Sequence, residues 1–144
     1  MSAVEAMQTS LAAEHAAVYV HGVLGGQVSR SSDPALADAV EAAYRVHRGR
    51  RDQLIRLLRD AGAEPVASEV AYVLPSRVDT AARISAAARE VERRCATTYA
   101  DQVGRTAAGQ RRWAVTALGD AAARQLRFRG SPETFPGAEE LADR

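Results

Sequence analysis

The sequence has no lysine. All 19 of its basic residues are arginine, which reads as the codon bias of a GC-rich genome. Cysteine occurs once, as Cys95, so an internal disulfide and a cysteine-based metal cluster are both excluded. Only 5% of residues are aromatic, which, with abundant alanine, suits packed helices better than a sheet, because alanine is the best helix former and poor in strands. No apolar run approaches the roughly 20 residues of a membrane span. The formal net charge is only +1, which argues against a dedicated nucleic-acid or polybasic membrane protein. The opening MSAVEAMQTS lacks a basic stretch followed by an apolar run, so no signal peptide is expected. The expected location is the cytoplasm.

Alanine is plentiful, hydrophobic residues make up 47% and charged residues 26%. This suits one globular domain of packed helices. Four helices are predicted over about 3–29, 34–61, 79–103 and 107–129. The first carries Val4, Met7, Leu11, Val18 and Val28, with Glu14 and His21 filling missing steps of the same stripe. The second starts at Ser32 or Asp33 with Pro34 in its first turn. Its stripe is Leu36, Val40, Tyr44, His47, Arg51, Leu54 and Leu58, and Gly62 ends it. The third runs through Ile84, Ala88, Val91, Cys95 and Thr98. The fourth carries Trp113, Ala117, Leu118, Ala121, Gln125 and Phe128. Residues 1–130 form the bundle. Residues 131–144 form an irregular tail, in which Phe135 is the candidate for docking.

Loop lengths set the topology. Short turns make antiparallel hairpins of helices 1–2 and 3–4. A second helix of 28 residues would be roughly 42 Å long, and the sixteen residues 63–78 can span about 53 Å. The prediction is up-down-down-up, with a long crossover between helices 2 and 3. Up-down-up-down with a loose loop is the alternative. Counting outward from the turns puts Glu14 level with His47, and Glu92 level with Asp120. A polar layer therefore crosses the middle of the bundle.

The stretches LAAEHAAVYVHGVLG, AYRVHRGRRDQLIRLLRDAGAEPVA, AYVLP and LGDAAARQLRFRGSPETFPG resemble the ferritin-like four-helix fold. More closely, they resemble a small actinobacterial ferritin-like family of unknown function. The resemblance implies a fold but transfers no activity. Ferritin-like di-iron proteins use a lone Glu on two helices and Glu-x-x-His on the other two. Glu14 and Glu92 match the lone carboxylates, and His47 matches one histidine. Tyr44, however, stands where a Glu is needed, and the fourth helix offers Asp120 but no histidine. Arg51 and Arg124 each lie one turn beyond a candidate ligand, and a guanidinium repels a cation instead of binding it.

The preferred reading is a structural core of Glu14, Tyr44, His47, Arg51, Glu92, Asp120 and Arg124, without a cofactor. The alternative is a single Fe, Mn or Zn ion on Glu14, His47, Glu92 and Asp120. His15 and Tyr19, one turn apart, are read as a partly exposed stacked pair, His21 as a satisfied core histidine, and Cys95 as an inert thiol. Arg45, Arg48, Arg50, Arg51, Arg56 and Arg59 interleave with Asp38, Glu41, Asp52 and Asp60. That pattern suits a solvated ion-pair face better than a nucleic-acid surface. No phosphate loop, nucleophile elbow or zinc motif occurs. The expectation is a non-catalytic scaffold or interaction protein, compatible with a homodimer or an unidentified protein partner. The competing class is a metal-storage protein or oxidoreductase with a reduced site.

Overall fold

The computed structural model describes residues 1–129 and 135–138. Four helices make up the fold: α1 (Ala3–Gln27), α2 (Pro34–Asp60), α3 (Ala81–Arg105) and α4 (Ala108–Arg129). No strand occurs among the described residues, and no helix there is long and apolar enough to cross a membrane.

Local chemistry sets the ends. The Ser2 hydroxyl accepts from the Glu5 N–H at 3.1 Å, and the Glu5 carboxylate accepts from the Ser2 N–H at 2.6 Å. That reciprocal capping box starts α1. Asp33 precedes Pro34 at the start of α2 but makes no side-chain cap bond. Gly62, at φ +75°, reverses the chain after α2. Its N–H reaches the Arg59 carbonyl, and the Ala63 N–H reaches Leu58, a paired C-terminal motif that favours glycine. The third helix lies two residues later than expected. Thr80 caps its start, and at its end the Thr106 hydroxyl bonds the Gln102 carbonyl at 2.6 Å.

The connection between α2 and α3 traverses the bundle along α1. Gln8 bonds the backbone of Glu64 and Val66, at 2.7 and 2.8 Å. His15 donates to the Val66 carbonyl at 3.0 Å, and further on Tyr19 packs on Tyr72 at 5.6 Å. Helix α3 therefore starts at the end of the bundle where α2 starts. It runs antiparallel to α1, with Ser10 meeting Thr98 and His21 meeting Glu92. The expected stacked pair of His15 and Tyr19 does not form, because each residue is taken up by the crossover.

The core has two parts, the larger of which runs through the level of a mid-bundle polar layer. Met7, Leu11, Leu54 and Leu58 fill one end. Val20, Leu24, Val40, Ile84, Val91, Phe128 and many alanines fill the rest. On α1 the buried line is Met7, Leu11, Glu14, Ala17, His21 and Leu24. Val18 has drifted to the edge, as a period of 3.6 rather than 3.5 requires. Most of the expected tail lies outside the described residues. Of the part that is described, Phe135 is 45% exposed. Close contact with α3 comes instead at Gly137, at φ +79°, where a Cβ would stand 2.7 Å from the Ala96 carbonyl oxygen.

Candidate functional site

His47 is the hub. Fully buried on α2, it donates through Nδ1 to Glu14 of α1 at 2.7 Å and through Nε2 to Glu92 of α3 at 2.9 Å. Both carboxylates are themselves fully buried. A ring that donates from both nitrogens is an imidazolium. Burial alone would discharge it, but the negative charges of Glu14 and Glu92 raise its pKa from 6.5 to about 9. Burial would likewise protonate Glu92. The adjacent His47 charge outweighs that effect and holds the carboxyl at about 2.

Tyr99 donates its hydroxyl to the other oxygen of Glu14. Burial and the Glu14 charge push the phenol well above its usual range. Arg50 reaches across from α2. It bonds the Tyr99 oxygen at 3.4 Å, lies over that ring at 5.3 Å, and pairs with Asp120 of α4. Arg124 pairs with the same Asp120 and approaches Glu92 at 3.3 Å. Glu14, Glu92 and Asp120 thus face His47, Arg50 and Arg124, three negative charges against three positive, as burial of charge demands.

Two expected members fall outside this network. Arg51 points to the surface and pairs with its neighbour Asp52 at 2.8 Å; Arg50 takes its place. Between His47 and Leu54 the inward step can fall three or four residues on, and arginine occupies both positions. Tyr44 is half-buried and makes no bond to the cluster, and its ring carries the Arg48 guanidinium at 5.6 Å. The buried step on α2 there is Ala43. Asp120 belongs to the network from its rim, with 46% of its side chain exposed.

His21 was expected to be a satisfied core histidine, but neither ring nitrogen has a hydrogen-bond partner among the described residues. Its ring stacks on His47 at 5.2 Å, and its Nε2 stands 3.7 Å from Glu92, too far for a hydrogen bond. Burial lowers its pKa, so the ring is neutral. The second Glu92 oxygen is also without a partner. Ligand atoms of His21, His47 and Glu92 all lie within 4.8 Å of one another, as do those of Glu14, His47 and Cys95. Asp120 joins neither group. Cys95 is buried, and burial raises its thiol pKa well above the ordinary value, so it is an unreactive thiol.

Tyr99 escaped the sequence reading, although a signal for it exists. It lies seven residues, two turns, after Glu92, and a tyrosine on a core stripe needs a hydroxyl partner. On the surface, Arg45 pairs with Glu41 one turn away on α2, and Arg30, in the turn before that helix, pairs with Asp38 and Glu41.

The chain is similar to a conserved hypothetical protein of known structure from Mycobacterium tuberculosis. The two are 29% identical, with a TM-score of 0.81, over 89% of this chain and 96% of that one. No curated protein matches the chain. A family model matches residues 6–140, and the chain belongs to that family, the domain of unknown function DUF4439.

Proposed function

We propose that the chain is a non-catalytic, ferritin-like bundle whose mid-bundle layer is an ion-paired structural core, and that it serves as a scaffold or interaction module. Two antiparallel hairpins joined by a crossover, with inward carboxylates at mid-height, support the ferritin-like reading. The observation that carries the structural reading is His47, held as a cation between Glu14 and Glu92. A di-iron pair does not fit these residues. Tyr44 replaces a ligand Glu in the sequence pattern and makes no bond to the cluster, the described α4 has no histidine, and Arg124 sits between Asp120 and Glu92.

A second reading rests on the unpartnered atoms. His21, His47 and Glu92 could hold one Zn, Fe or Mn ion, since two imidazoles and a carboxylate are donors all three metals accept. Metal content separates the readings. Protein purified without chelator is expected to carry only trace metal, and its unfolding midpoint is expected to stay unchanged when Zn²⁺ or Mn²⁺ is added. Near-stoichiometric metal that disappears in His21→Ala would overturn the structural reading.

A further inference from the structure

A groove of about 350 Å³ opens between the second half of α1 and the first half of α2, within the size range of small-molecule sites. Its walls include Gly22, Gly25, Val28, Val40 and Tyr44, with His21 among them. The glycines are not forced by helix crossing. A Cβ at Gly22 would come no nearer than 3.7 Å to Tyr44, and one at Gly25 no nearer than 4.0 Å to Val40. Glycine inside a helix costs stability relative to alanine. Here that cost leaves open space beside the least satisfied polar side chain of the polar layer.

The ring of His21 is 1% exposed, and both nitrogens lack partners among the described residues. Buried polar atoms without partners are rare in proteins. The Nε2 atom faces the Glu92 carboxylate at 3.7 Å, so the single proton of the neutral ring belongs there. Nδ1 is left with a lone pair that no described residue satisfies, and because His21 is among the side chains lining the groove, a ligand that reaches this atom has to donate to it. Anions are disfavoured. Arg30 on the groove wall is already engaged by Asp38 at 2.6 Å and Glu41 at 2.9 Å, and Glu41 itself lines the groove.

We propose that this groove binds a small, neutral aromatic molecule carrying one hydrogen-bond donor, a phenol or an N–H heterocycle. The donor meets His21, and the ring lies against Tyr44, Val40 and the space above the two glycines. This inference does not depend on the scaffold reading.

The test titrates the full chain with phenol, toluene and sodium benzoate and follows the His21 and Tyr44 ring resonances by NMR. Phenol should bind in the millimolar range or better and shift both residues, with toluene about tenfold weaker or worse. Benzoate should fail to compete. Gly25→Leu fills the groove from an open position, so it should abolish phenol binding while keeping the unfolding midpoint at or above wild type. His21→Phe keeps the ring and removes the lone pair, so phenol and toluene should bind it alike. Absence of a phenol-dependent shift, phenol binding that survives Gly25→Leu, or tighter binding of benzoate than of phenol would each overturn the proposal.

Discussion

Replacing Glu14 with alanine should be among the most damaging single changes available in this chain. Glu14 is fully buried and accepts from His47 at 2.7 Å and from the Tyr99 hydroxyl. Its removal strands an imidazolium N–H and a phenol O–H and leaves three positive charges facing two negative ones. A lost bond to a charged group costs about 1.5–3 kcal/mol, and a stranded buried donor about 1–3 kcal/mol. Breaking a buried ion pair costs about 3–5 kcal/mol overall, because His47 can shed its proton and cap the loss. For a chain of this size, roughly 2–4 °C of midpoint is lost per kcal/mol, so a fall of about 6–20 °C is expected. Glu14→Gln keeps the shape and an acceptor for Tyr99, and should cost less than half as much. The assay is thermal unfolding, with urea unfolding for the free energy, followed by circular dichroism at pH 7. A loss under about 0.5 kcal/mol for Glu14→Ala, the range of surface substitutions, would refute the buried-network reasoning.

Stability should also fall on the alkaline side. The folded state raises the His47 pKa from 6.5 to about 9, so the stabilisation is complete below the lower value and is lost as pH rises through the higher one. At about 1.4 kcal/mol per tenfold change in proton affinity, this amounts to roughly 3 kcal/mol. Urea midpoints across that window should show the decline, and His47→Gln should flatten it. Below pH 4.5 the matching loss comes from Glu92, complete only near pH 2. It reports the same ion pair, so the two losses do not add. Arg50→Met should cost several times more than Arg51→Met, which should stay within about 0.5 kcal/mol; paired unfolding curves decide the order. Gly137→Ala puts a Cβ into the Ala96 carbonyl at a φ that disfavours alanine. It should speed hydrogen exchange at residues 135–138 while leaving the global midpoint nearly unchanged.

Spacing and loop length carried much of the architecture. The crossover was legible because a sixteen-residue connection is long enough to run the length of a helix, and its contacts with Gln8, His15 and Tyr19 show that it does. Glu14 and His47 were placed level by counting from one turn, and they share a hydrogen bond. The errors came where one helix step admits two answers. Arg50 and Arg51 are chemically identical neighbours, so sequence could not choose between them, and at Ala43 and Tyr44 the smaller residue turned inward. Asp120 is placed at mid-height on α4, level with Glu92, yet its rim position depends on helix rotation, which one residue changes by about 100°. His21 reads as a satisfied core histidine because it falls on the apolar stripe of α1. Its relevant neighbour, Glu92, comes from another helix, and no count along α1 could reveal it.

The crossover also divides the polar layer between two hairpins. The α1–α2 hairpin brings Glu14, His47 and Arg50, one positive charge in excess, and the α3–α4 hairpin brings Glu92, Asp120 and Arg124, one negative charge in excess. Neither half can bury its share alone without a mismatch. A docking shifted by one helical turn would separate His47 from Glu92 and leave opposite charges unmet in apolar surroundings. On that charge pattern the observed register, with His47 against Glu92, is the one in which the buried charges of the two hairpins meet opposite charges.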